Sequence, residues 1–294
     1  MKIIRPVEIT PAILTSNVPE TLPEYSPAAT YSLGQQVRDA AANRAYQSVV
    51  SANIGHALTD PSKWLDLGPT NRWAMFDQVN GTATTAAGGI DVTLALTGRA
   101  DGLALIDVVG QQVQVTVTAG GVTLYDQVTS LVADSGITTW YDWFTEPIAR
   151  NTVFDTSALP LNVNPTVRIQ VTDSSGAAVS IGSLVIGQTF DLGTTIFPAK
   201  SGIRDYSRIE ADAFGNYTIV PRAFSRRQTV KTAVDAAKVD IVQDYLTRYR
   251  STPLVWIGSE TYNSLVSFGF VRDWSVDVST PVVSYLTLEI EGLT

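Results

Sequence analysis

The stretch Gln112-Val113-Gln114-Val115-Thr116-Val117-Thr118, turning at Gly120-Gly121 into Val122-Thr123-Leu124-Tyr125, decides the fold class. Apolar and polar residues alternate with period two, as they must on a strand with one buried face. The glycine pair supplies a tight turn, so the two runs predict a β-hairpin. Working outward, Ile90 to Leu96, Leu103 to Val109, Thr166 to Thr172 and Ala178 to Gly187 read as further strands. Asp173-Ser174-Ser175-Gly176 is a turn between two of them. Strands at this spacing predict an antiparallel β-sandwich, jelly-roll-like, over residues 73–199.

The next segment, 200–294, changes character. Tyr217 to Val220 and Gln228 to Val234 predict strands, and Asp235 to Arg250 predicts one helix. Val239, Val242, Leu246 and Tyr249 recur at three- and four-residue steps and so share a face. Asp235 suits the N-cap, Arg248 and Arg250 suit the C-terminal dipole, and Pro253 stops the helix. Leu254 to Gly258, Leu265 to Phe270, Val271 to Val278 and Tyr285 to Ile290 follow as strands, which makes 200–294 an α+β unit. At the other end, Pro6, Pro11, Pro19, Pro23 and Pro27 argue against helix or central strand, because proline fixes φ and lacks a donor. Residues 1–24 are therefore expected as an extended arm, lying along a neighbour in an assembly or disordered in isolation. The expected class is mainly β with a C-terminal α+β unit.

Composition narrows the function. The net charge is −8, and 73–199 carries three basic and eleven acidic residues while the flanking segments balance. A chain that grips nucleic acid needs a basic surface, so nucleic acid is not an expected partner. There is no cysteine and a single histidine, His56, which excludes disulfides, thiolate metal sites and two-histidine sites. No apolar run approaches a membrane span, and the Met1-Lys2-Ile3-Ile4-Arg5-Pro6 start does not read as a signal peptide. No nucleophile elbow, Walker loop or dinucleotide fingerprint occurs. No cofactor, metal or enzymatic activity is expected. A carboxylate pair stays open: Asp142 and Glu146 lie in Trp140-Tyr141-Asp142-Trp143-Phe144, where Trp140 and Trp143 either form a sugar-binding face or straddle the sandwich core and a loop.

Residues 25–72 form a fourth unit. Tyr25 precedes Tyr31-Ser32-Leu33-Gly34-Gln35-Gln36-Val37, then come Tyr46, Asn53-Ile54-Gly55 and Pro61-Ser62-Lys63-Trp64. This order resembles the small chitin-binding-like modules of carbohydrate-binding families five and twelve. Tyr25 stands where those modules usually have tryptophan, and Asn43 where they have glycine. The resemblance implies a three-stranded module in which Tyr25, Tyr31, Tyr46 and Trp64 contact a glycan. Tyr31, Tyr46 and Trp64 serve equally as a mini-core in so small a unit. His56 is expected on a solvated loop.

Both ends of the chain resemble bacteriophage tail and minor structural proteins. The matching pieces are Ile4-Arg5-Pro6-Val7-Glu8-Ile9-Thr10, Trp64 to Asp77, Gly202-Ile203-Arg204-Asp205-Tyr206-Ser207, Pro253 to Glu260 and Leu288 to Leu293. The resemblance implies a virion structural protein of the tail tip, baseplate or collar. Its implied partners are other tail proteins, further copies of itself and bacterial surface polysaccharide. A receptor- or glycan-binding adhesion protein is the alternative. Arg222, Arg226, Arg227 and Lys231 form a basic cluster, expected either to meet the acidic middle segment of another protomer or to be a solvated edge that resists aggregation.

Overall fold

The computed structural model describes residues 1–78, 81–133, 138–145, 149–211 and 214–293, the side chains of Asp142 and Trp143 excepted. The chain is mainly β, and its named strands pair antiparallel. A ten-stranded sheet is the frame. Its path runs Val153–Thr156, Gly102–Val109, Ala178–Asp191, Lys2–Pro6, Leu254–Ile257, Val266–Asp277, Val283–Gly292, Phe224–Asp235, Thr194–Asp205, with Thr84–Ala87 paired to the first turns of Ala178–Asp191. A second sheet of five runs Val122–Ser130, Gln112–Ala119, Thr166–Thr172, Gly89–Ala95, Leu14–Ser16.

The predicted alternation becomes burial. Val113, Val115 and Val117 are buried on one face of Gln112–Ala119, and Val167, Ile169 and Val171 do the same next door. Gly120 and Gly121 both take positive φ, which a two-residue hairpin turn of this kind requires and glycine adopts without strain. These faces pack on Leu103, Leu105, Leu184 and Ile186 of the large sheet, forming the sandwich core. Further along the same face, Ile3, Trp256, Leu286, Leu288 and Ile290 pack with Val239, Val242 and Leu246 of the C-terminal helix. The helix is Val239–Arg248, entered through a 3-10 turn at Ala236–Lys238. Asp235 caps that turn by accepting from the Ala237 N–H at 3.0 Å.

Two expected boundaries change. Residues 1–24 are not an arm along a neighbour. Lys2–Pro6 is an interior strand between Ala178–Asp191 and Leu254–Ile257, with Ile3 and Ile4 fully buried, and Leu14–Ser16 joins the five-stranded sheet. The prolines do not prevent this, because of the first-segment prolines only Pro6 lies in one of these two strands, at its end. Gly187 is needed opposite: a Cβ there would stand 1.7 Å from the Arg5 carbonyl oxygen. The division at 199/200 also dissolves. Ala178–Asp191 bonds to Gly102–Val109 and to Lys2–Pro6, so sandwich and α+β unit share one sheet.

That sheet curls. Ile4, Ile106, Val153, Val255, Ile257 and Phe268 on its other face form a third core. Arg226, near one end of the path, reaches Asp107 near the other at 3.4 Å, and Asn263 Nδ2 donates to Asn151 Oδ1 at 3.1 Å. Residues 25–69 stand apart as a small lobe. Gln36–Asp39, Arg44–Ser48 and Trp64–Pro69 form a three-stranded sheet, and Thr30–Tyr31 pairs Asn53–Ile54. Arg208–Ala211 and Tyr217–Val220 pair only with each other, extending the last two strands of the frame into a projecting hairpin.

Candidate functional site

The lobe gathers all four of its predicted aromatics into one cluster, and it does so as a core. Trp64 packs edge-on against Tyr25 (ring centroids 5.6 Å apart) and Tyr31 (5.2 Å), and Tyr25 stacks on Tyr31 at 5.9 Å. Trp64 is 3% and Tyr31 5% exposed, with Val37 beneath them. Their polar ends are satisfied within the lobe. The His56 carbonyl accepts from Tyr25 OH at 2.7 Å and from Trp64 Nε1 at 3.1 Å, and Tyr31 OH donates to the Ser26 carbonyl. Tyr31 and Trp64 therefore have no ring face open to a sugar, which corrects their expected stacking role: a lobe this small has no other source of core. Tyr25 and Tyr46 are half-buried against the same cluster. His56 contributes its backbone to that core, and its Nδ1 lies 3.0 Å from Asn53 Oδ1.

Trp140 sits on a short helix, Trp140–Thr145, and is 81% exposed, with Tyr141 and Phe144 equally open. It does not enter the sandwich core. The side chains of Trp143 and Asp142, and Glu146 altogether, lie outside the described residues.

The basic cluster divides. Arg226 is committed within the chain to Asp107, so it meets the acidic middle segment of its own copy. Lys231 lies 4.8 Å from the Tyr285 ring centroid. Arg222 and Arg227 are exposed and have no ion pair among the described residues, as is true of Lys200 on the neighbouring strand. Arg222 stands at the base of the projecting hairpin, and Arg227 and Lys200 lie further along the two strands that carry it. On it, Phe214 is 91%, Tyr217 71% and Ile219 62% exposed and Ile209 is open as well, as is Ile203 on the strand that leads into it. Their alternation reads in sequence like any strand. What distinguishes them is that, among the described residues, no layer covers either face.

A cleft of about 310 Å³ opens between the edge strands Val122–Ser130 and Val153–Thr156, with Glu260 and Asn263 across it. Asp155 lies on the same sheet face as Ala104, its cross-strand partner. Burial, with the nearby Glu260 charge, pushes its carboxyl up to about 6. It has no hydrogen-bond or ion-pair partner among the described residues. Glu260, by contrast, is held below the usual carboxylate range by the Lys2 ammonium 2.7 Å away. The cleft thus offers one uncommitted acceptor beside an exposed edge. Sequence patterning gave no sign of it, since Asp155 is an ordinary polar residue in a short strand.

Among the described residues there is no cluster of three metal-ligating side chains and no helix long and apolar enough to cross a membrane. No family model matches the chain, and no curated protein matches it.

Proposed function

We propose that this protein is a structural component of a bacteriophage tail, at the tip, baseplate or collar, working by docking to other proteins and not by turning over a substrate. The observation that carries the reading is the projecting hairpin. Exposed Ile209, Tyr217 and Ile219 form an apolar ribbon on a hairpin whose strand residues are all exposed. A solitary soluble protein gains nothing from such a ribbon and risks aggregation, whereas an assembly protein covers it on docking. The resemblance of both ends of the chain to tail proteins supports the particle in question. Contact with bacterial surface polysaccharide is a second role, favoured by the open rings of Trp140, Tyr141 and Phe144. The burial of Trp64 and Tyr31 moves that role away from the lobe's centre.

Immunogold labelling or cryo-EM of intact particles tests the assignment. The expected result is discrete, symmetric density at one level of the tail. Absence from particles, with a freely soluble monomer that turns over a substrate, would overturn it. Binding to a bacterial glycan array that disappears in Trp140→Ala/Phe144→Ala would establish the second role, and no binding by the parent would remove it.

A further inference from the structure

We infer that the hairpin of one copy docks on the Val122–Ser130 edge of a second copy, so that the chain self-assembles head to tail. The inference rests on the assembly reading above and names its partner surface. Three observations meet at that edge. Val122–Ser130 ends the five-stranded sheet, so among the described residues one row of its backbone groups has no strand beside it. Val122, Leu124 and Val128 on it are exposed. A nine-residue apolar edge of this kind invites an added strand unless something covers it.

Charge chooses the occupant. The edge carries Asp126, which accepts only from the neutral Gln114 and Thr116, and the cleft alongside holds the unpartnered Asp155. Neither carboxylate forms an ion pair among the described residues, and the one cation acting on Asp155, Lys2, is bonded to Glu260. The hairpin and the strands that carry it bear exposed apolar residues together with Lys200, Arg222 and Arg227, cations that form no ion pair among the described residues. Apolar ribbon meets apolar edge, and basic flank meets acidic flank. A second copy of this chain supplies both surfaces, and no partner of other chemistry is needed. Donor and acceptor surfaces are different, so the contact is heterologous: it closes into a ring or runs on as a filament, and does not stop at a two-fold dimer.

The test uses two triple variants of the full chain. Ile209→Thr/Tyr217→Thr/Ile219→Thr blunts the hairpin, and Val122→Thr/Leu124→Thr/Val128→Thr blunts the edge; threonine keeps strand propensity at each site. Sedimentation velocity should show concentration-dependent oligomers for the parent and monomers for each variant alone. Mixed together, the two variants should give a one-to-one dimer and nothing larger, because each retains the surface the other has lost. That complementation also shows both are folded. A second pair checks the charges: Lys200→Glu/Arg222→Glu should weaken association by about tenfold, and adding Asp126→Lys to the same chain should recover most of it. If the edge variant assembles like the parent, the hairpin docks elsewhere and the inference fails, while the tail assignment stands. If the parent is a monomer in solution yet is found in particles, self-contact fails and the assignment again survives. Absence from particles would remove the assignment itself.

Discussion

Replacing Asp155 with asparagine should stabilise the protein at neutral pH and do nothing at pH 4. The carboxyl moves from the usual 3.8 to about 6 because it is buried without a donor, next to Glu260. Each pKa unit is worth about 1.4 kcal/mol. The difference of about two units then corresponds to a cost of about 3 kcal/mol for ionising Asp155 in the folded chain at pH 7 and above. The sign follows from proton counting. Between the two values the folded state holds more protons than the unfolded one, so stability falls as pH rises from about 4 to about 6 and stays low beyond. Asparagine is neutral throughout and keeps the shape of the side chain. Urea melts of Asp155→Asn and its parent, both in the blunted-hairpin background that keeps the protein monomeric, should differ by up to about 3 kcal/mol at pH 7.5 and agree near pH 4. By the usual entropy per residue, a chain of 294 residues would melt about 5 °C higher for that gain. An equal effect at both pH values, or a loss of stability at pH 7.5, would refute the reasoning, because it would mean that the ionised carboxylate is already well accommodated.

Four further outcomes follow from the architecture. Removing residues 1–6 should leave an insoluble or unfolded chain, since it takes out an interior strand of the large sheet; a soluble product with native circular dichroism would show that the strand is dispensable. Gly187→Val should act in the same direction for the same reason, as its side chain would collide with the Arg5 carbonyl. Trp64→Ala should cost the lobe about 3–5 kcal/mol and leave the main body intact, read as rapid hydrogen exchange confined to residues 25–69. Asp173, held down at about 2 by hydrogen bonds from Ser175 and Arg150, contributes stability that is present above its unfolded value of 3.8 and is lost as pH falls through about 2. Asp173→Asn should remove that part of the acid-unfolding curve, which a titration followed by tryptophan fluorescence would detect.

The strands were legible because period-two alternation is a local property: Val113, Val115 and Val117 advertise one buried face without reference to anything distant. The helix was legible for the same reason, through Val239, Val242 and Leu246 and the Asp235 cap. Which strands lie side by side was not. Ile3-Ile4 is too short a run to declare itself an interior strand, and its neighbours lie more than 180 and 250 residues away. The prolines around it therefore dominated the reading. The aromatic residues of the lobe stand out in the sequence, but a sequence does not say whether a ring faces inward or outward, and Trp64 faces inward. The hairpin failed in the opposite sense. Ile209, Tyr217 and Ile219 alternate as half-buried residues do, and only tertiary structure reveals that nothing covers them.

The basic residues around that hairpin link its exposure to the way the chain folds. The large sheet cannot close until Lys2–Pro6 meets both Ala178–Asp191 and Leu254–Ile257, contacts of long sequence separation that form slowly. The hairpin Arg208–Ala211 with Tyr217–Val220 is local and needs no such wait. An apolar ribbon is therefore on display while the rest of the chain is still incomplete, the circumstance in which exposed strands aggregate. Lys200, Arg204, Arg208, Arg222, Arg226 and Arg227 flank it, and like charges on such an edge keep immature copies apart. Once the fold closes, Arg226 is drawn to Asp107 and Arg204 to Glu291, while Arg222 and Arg227 remain outside. If a second copy docks as inferred above, its acidic edge would then neutralise what is left. With that contact, protection from aggregation and docking to a second protomer would be successive uses of the same charges, and the order in which the strands close would set when one gives way to the other.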